Sequence, residues 1–231
     1  MAALYFIRHG QASFGAADYD QLSQLGERQS IALGGGLRQR KVAFDAVVTG
    51  SMRRHIQTSQ HCCAALGLTV APLIMAEFNE YNHHEVLVAQ RPEFVDDTAL
   101  AQWLASTENP HKAFQQEFER AVNRWSSGEY DHEYSESWEQ FRQRCESGLL
   151  QIRKLSEHYK SIAVFTSGGP IASLTGYCLG LDDTKVAELS WSVINASLTC
   201  FLSNNNKLSL RFFNDYSHLE YAQIQSMVSY R

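Results

Sequence analysis

The run Leu4–Ile7 is apolar throughout. A strand with one wet face alternates polar and apolar side chains. An unbroken apolar run therefore belongs to a strand covered on both faces, as in sheets flanked by helices. The downstream pattern supplies those helices. Leu22–Arg38 reads as a helix that Ser23 can cap, with Leu25, Ile31, Leu33 and Leu37 at roughly helical spacing. A strand is expected at Ala43–Val48, a helix from about Arg53 to Leu66, and a short extended segment in Leu68–Phe78. From about Pro92 to Tyr134, scattered Trp and Phe among acids and amides read as a helical insertion over one end of the sheet. A long amphipathic helix over about Ser137–Tyr159 puts Trp138, Phe141, Cys145, Leu149, Ile152 and Leu155 on one stripe. Ile162–Phe165 follows as a strand, Gly168–Gly169 as a tight turn and Pro170–Cys178 as a helix with proline in its first turn. Ala196–Leu202 and Leu208–Phe213 are the last strand candidates. The expected fold is α/β: a three-layer α/β/α sandwich around a mostly parallel sheet. Residues 1–231 form a single domain in this reading, with 82–135 as a helical insertion or cap.

Composition removes several function classes. The net charge of −5 offers no general attraction to nucleic acid or to an anionic membrane, so an anion site must be a local gathering of positive groups. No stretch reaches the about 20 apolar residues that a membrane-spanning helix needs, and Ala2–Ile7 is too short for a signal peptide. A cytoplasmic location is expected. The five cysteines lack metal-type spacing and read as reduced thiols.

In such sheets ligands bind beyond the carboxyl ends of the strands. Three loops there carry unusual residues: Arg8-His9-Gly10, Arg53-Arg54-His55 and Ser167-Gly168-Gly169. The last opens a helix whose first N–H groups can cradle an anion, and guanidinium forks add bidentate recognition. Convergence of these loops suggests a phosphoryl site. His9 could attack phosphorus through a ring nitrogen, and a carboxylic acid among Glu77, Glu80 and Glu85 could protonate the leaving alkoxide. Arg53 and His55 read as a solvated face, and His83-His84-Glu85 as pocket lining rather than metal ligands. Ser167 lies outside a GxSxG elbow, and no base can be assigned to it.

The order of the motifs resembles the histidine phosphatase superfamily, also called phosphoglycerate mutase-like. "RHGQ" matches its opening Arg-His-Gly. "YDQLSQLGERQS" is similar to its Leu-Ser/Thr-x-x-Gly-x-x-Gln helix. "TGSMRRHIQTSQ" is similar to Ser-x-x-x-Arg-Ala-x-Gln-Thr, with Arg54 as the matching arginine and Gly50 where serine is usual. "FNEYNHHE" resembles the acid-bearing Leu-x-Glu loop, "ESWEQFRQR" the Glu-Ser helix start, and "INASLTCFL" with "FFNDYSHLE" the closing strands.

The resemblance implies a metal-independent phosphatase, without cofactor, acting on a small phosphorylated metabolite or binding inorganic phosphate. His9 would be the nucleophile and Glu80 the acid and then the base. Arg8, Arg54, Ser167 and Gly168 would hold the phosphoryl group, with Gln11, Ser13, His83 and His84 as the substrate pocket. The family carries a second histidine where this chain has Ser167. A charged hydrogen bond is worth about 1.5–3 kcal/mol against roughly 1 for a neutral one, so serine implies chemistry slowed roughly ten- to a hundredfold. His83, His84 and Arg53 are the candidates to compensate. Ala12 and Gly15 also replace polar family residues. A second reading is therefore a weak or inactive phospho-ligand-binding or interaction domain. A phosphoglycerate mutase is the less favoured third, because Glu80 is followed by Tyr81-Asn82-His83-His84 rather than Arg-His-Tyr-Gly.

Overall fold

The computed structural model describes residues 1–13, 20–204, 207–221 and 227–230. Its elements run β1 (Ala2–Arg8), α1 (Gln24–Gln39), β2 (Ala46–Thr49), α2 (Arg53–Leu66), β3 (Leu73–Ile74), α3 (His83–Gln90), α4 (Asp97–Ala105), α5 (Pro110–Ser126), α6 (Trp138–Leu155), β4 (Ser161–Thr166), α7 (Gly168–Leu179), α8 (Asp183–Ser192), β5 (Leu198–Ser203), β6 (Leu208–Asp215) and α9 (Ser217–Tyr221).

The strands form one six-stranded sheet in the order β3-β2-β4-β1-β5-β6. The pairs β3-β2, β2-β4 and β4-β1 are parallel, whereas β5 and β6 join antiparallel. The fold is the α/β type expected, with helices flanking a mixed sheet. Strand β1 is the last of the parallel run and pairs antiparallel with β5, and its alternate side chains feed both layers. Ile7 packs with Leu33, Leu37, Val47, Cys62 and Phe165, while Phe6 meets Phe78 and Phe201 edge-on, each at 5.6 Å between ring centroids. Both faces are buried, which is why the segment shows no polar alternation. Parallel pairing also matters for function. It ends β1, β2 and β4 on one edge, with Arg8 opposite Thr166 and Thr49 opposite Phe165.

The chain divides into two compact units, Tyr81–Gln143 and the remainder. The smaller unit is built on aromatic packing: Tyr81 stacks near Trp125 at 4.5 Å and meets Phe141 at 5.4 Å. Its buried carboxylate, Glu117, is matched by Arg120 at 3.2 Å and Arg91 at 3.5 Å, since a buried charge needs a partner.

Several local expectations change. Ser23 caps α1 by accepting from the Gly26 N–H, but Ile31 is exposed and contributes nothing to the core. Gly168 and Gly169 are the first two residues of α7 rather than a tight turn. A residue before proline usually avoids the helical region because its Cβ and N–H crowd the proline ring, and Gly169 has no Cβ to crowd. Helices α8 and α9 were not expected; both are short and carry few apolar positions, so they leave little periodic signal. No described helix is long and apolar enough to cross a membrane.

Candidate active site

His9 is the first residue beyond β1. It is buried, and its backbone N–H donates to the Thr166 carbonyl at 2.9 Å. Its Nδ1 lies 2.7 Å from the Gly10 carbonyl oxygen. A carbonyl only accepts, so Nδ1 carries the hydrogen, and in the neutral ring Nε2 keeps a lone pair. Burial lowers the His9 pKa well below the usual histidine value, and the nearby Arg54, Arg8 and His55 push it the same way. The ring is therefore neutral at pH 7, the state a nitrogen nucleophile requires.

The loop carrying His9 is pinned from several sides. The Gly10 N–H donates to Thr58 Oγ1 at 3.0 Å, and Thr58 in turn donates to the Arg54 carbonyl at 2.7 Å. Asn195 Nδ2 donates to the His9 carbonyl at 3.1 Å. Helix α1 approaches so closely that a Cβ on Gly10 would lie 2.3 Å from the Gly26 carbonyl oxygen. Both glycines are demanded by that backbone contact.

Positive charge gathers beside the imidazole. Arg8 donates from Nη1 to the Val193 carbonyl, and its guanidinium carbon is 3.7 Å from where a Cβ on Gly168 would stand. It thus borders the first turn of α7. Arg54 is buried and held by Asp20, with Nη1 2.7 Å from Oδ1. Asp20 also accepts from the Arg53 N–H at 2.8 Å, which caps the start of α2. Glu80 follows the turn at Ala76–Phe78, and its Oε2 accepts from the Gly169 N–H at 3.1 Å. Arg144 braces that turn by donating to the Ala76, Glu77 and Asn79 carbonyls, and Thr166 Oγ1 donates to the Phe78 carbonyl at 2.6 Å. Arg8 and Arg54 thus lie beside a neutral histidine, and Glu80 bonds the first turn of the helix that Arg8 borders. Such a set can bind a tetrahedral oxyanion and stabilise charge that builds on it.

The other two carboxylates considered have structural partners. Glu77 accepts from Gln151 Nε2 at 2.8 Å, and Glu85 accepts from the Ser135 N–H and hydroxyl at 2.6 Å each. Gln11 and Ser13 face the start of α1: Gln11 Oε1 accepts from the Ser23 hydroxyl, and the Ser13 hydroxyl donates to the Leu22 carbonyl. His83 and His84 open α3 in the smaller unit, where the His83 ring packs against Tyr81 at 4.4 Å and Phe118 at 5.5 Å. Gly15 lies outside the described residues.

One reading of the sequence is corrected. His55 is not on a solvated face: it is fully buried, with Nε2 2.6 Å from Ser167 Oγ. The Ser167 hydroxyl therefore has an imidazole for a neighbour. Arg53 remains exposed as expected. The signal for His55 was present in the spacing. Helix α2 buries Arg54, His55, Thr58, Ser59, Cys62 and Cys63. Those positions make one wide face, so a core role for the adjacent cysteines implies burial of Arg54 and His55 two turns earlier. Asp20, Thr58 and Asn195 were also missed; each acts through a contact remote in sequence.

The fold and this constellation define an α/β protein with a buried imidazole flanked by two arginines at the end of its first strand. The family model "Histidine phosphatase superfamily (branch 1)" matches residues 4–109 and 98–216, and the chain belongs to that superfamily. No curated protein matches it. Among solved structures it is similar to a phosphoglycerate mutase from Bacillus anthracis, at 17% identity over 94% of each chain with a TM-score of 0.65. It is also similar to a phosphoserine phosphatase variant from Entamoeba histolytica in complex with phosphoserine, at 17% identity over 95% of this chain and 100% of that one, TM-score 0.66. An alpha-ribazole phosphatase from Shigella flexneri matches at 21% identity over 93% and 96%, TM-score 0.59.

Proposed function

We propose that the chain is a metal-independent phosphomonoester hydrolase acting on a small phosphorylated metabolite through a phosphorylated His9. The observation that carries this reading is the bond from His9 Nδ1 to the Gly10 carbonyl, which leaves Nε2 as the basic nitrogen beside Arg8 and Arg54. The Nε2 lone pair attacks phosphorus as the bond to the leaving alkoxide breaks. Arg8, Arg54, Ser167 and the Gly168 N–H neutralise charge on the phosphoryl oxygens. Glu80 gives its proton to the departing oxygen. The resulting carboxylate then takes a proton from water, whose oxygen attacks phosphorus and releases inorganic phosphate and the free imidazole.

Hydrolysis is favoured over phosphoryl transfer between carboxylated substrates because Tyr81-Asn82-His83-His84 follows Glu80 and contains no arginine to hold a carboxylate. Incubation with a chromogenic phosphomonoester is expected to release phosphate, and His9→Ala to abolish release. If wild type and His9→Ala are equally inert over a broad phosphoester panel while phosphate still raises the melting temperature, the chain is a phospho-ligand-binding domain instead.

A further inference from the structure

His55 takes no part in the steps above, yet it is the buried imidazole nearest the nucleophile. Its ring centroid is 5.6 Å from that of His9, with the planes tilted by 37°. Its Nε2 makes the 2.6 Å bond to Ser167 Oγ. Ser167 occupies the cap position of α7 but makes no side-chain bond to its own helix, so the hydroxyl is available for another purpose. The other ring nitrogen, Nδ1, is buried without a hydrogen-bond partner and faces Gly50, where a Cβ would lie only 2.2 Å from it.

These contacts determine the proton position. A buried N–H with no acceptor is the rarer and costlier arrangement, so the hydrogen is assigned to Nε2 and the bare lone pair to Nδ1. His55 then donates to Ser167 Oγ, and the serine hydrogen must point away from the imidazole. Chains of hydrogen bonds polarise one another, so a hydroxyl that accepts from His55 is a stronger donor than a lone serine. Glycine at 50 makes room for the ring, and Gly50, His55 and Ser167 all depart from the motifs quoted above.

We propose that His55 is a positioning residue for the oxyanion. Through Ser167 it aims and strengthens one hydroxyl donor toward a phosphoryl oxygen, so that two short side chains from α2 and α7 do the work of one donor. The catalytic consequence rests on the hydrolase reading; the binding consequence does not.

The test is a double-mutant cycle read by two methods. Calorimetric titration with inorganic orthovanadate measures oxyanion binding, and kcat and KM with a chromogenic phosphomonoester measure turnover. Ser167→Ala is expected to weaken vanadate binding and lower kcat by about tenfold with KM little changed. His55→Ala should do the same, and the double variant should be no worse than Ser167→Ala alone. His55→Gln, which keeps an N–H near the same place, should recover most of the loss. Losses that multiply in the double variant, or a His55→Ala that binds vanadate like wild type, overturn the proposal. If His55→Ala does not fold, the cycle is run with His55→Phe, which fills the same space without an N–H, and Ser167→Ala must still mask its loss. Vanadate coupling without turnover leaves this inference standing and removes the hydrolase reading. His9-dependent turnover without coupling does the reverse, and a wild type that neither binds nor turns over contradicts both.

Discussion

The end of β1 and the start of α2 each bring an arginine and a histidine to the same crevice, but they do so differently. At the end of β1 the His9 ring is oriented by its neighbour: Nδ1 bonds the adjacent Gly10 carbonyl, and the backbone is clamped by Thr58, Asn195 and Thr166. At the start of α2 the His55 ring has no local partner and depends on Ser167, 112 residues away in the chain. Both imidazoles are kept neutral chiefly by burial, with Arg54 pressing in the same direction. The lesson is that similar electrostatics can serve different roles. In the proposed mechanism the ring held through one nitrogen by its own backbone reacts through the other, and the ring engaged by another side chain orients that side chain.

The largest effect expected from breaking this contrast is at His9. His9→Ala should lower phosphomonoester hydrolysis on the order of 10⁵-fold, as loss of a covalent nucleophile does, whereas His55→Ala should cost only about tenfold; steady-state kinetics on both variants measures the gap. Comparable losses would erase the distinction between the regions. Next comes Glu80, whose carboxyl bonds the Gly169 N–H. Glu80→Gln should lower kcat/KM for alkyl phosphates by about 10²–10⁴-fold and for nitrophenyl phosphate far less, because only the alkoxide needs a proton to leave, whereas the water step that follows is common to both. A smaller change sharpens the α2 side. Gly50→Ser puts a Cβ where it would approach His55 Nδ1 to 2.2 Å, so the ring must move off Ser167. About a tenfold fall in kcat is expected, with roughly 1–3 kcal/mol of stability lost to overpacking, read from denaturant melts.

The last effect, on stability rather than on turnover, is shared by both regions. His9, His55 and His218 have folded pKa values below the unfolded 6.5, that of His218 lowered to about 4 by burial. Below pH 6.5 the unfolded chain binds protons that the folded chain does not. Stability therefore rises with pH through this window and falls on acidification, by up to about 1.4 kcal/mol per pH unit for each histidine. For His218 the loss runs from pH 6.5 down to about 4. Melting temperatures across that range should drop, and His218→Leu should flatten part of the slope.

How much was legible in the sequence follows the same divide. The β1 end was readable because its evidence is local: an apolar run, then Arg8-His9-Gly10 in one turn. Helix α2 was bounded well, and Arg54 stood out through its motif. His55 was misread because a basic run at a helix start is most often solvated, and only the six-residue buried face of α2 says otherwise. Asp20, Asn195 and the bracing Arg144 could not be read at all. Each acts through a contact between segments far apart in the chain, which no local pattern encodes. Helices α8 and α9 escaped for a different reason: too few apolar positions to establish a period.

The central claim is that phosphorus is transferred to one nitrogen of His9. Rapid-quench labelling with a radioactive phosphomonoester, followed by peptide mapping, tests it directly. A base-stable, acid-labile label on the peptide containing His9 is the predicted result. An acid-stable label on Ser167, or turnover that leaves no label on the protein, would contradict it.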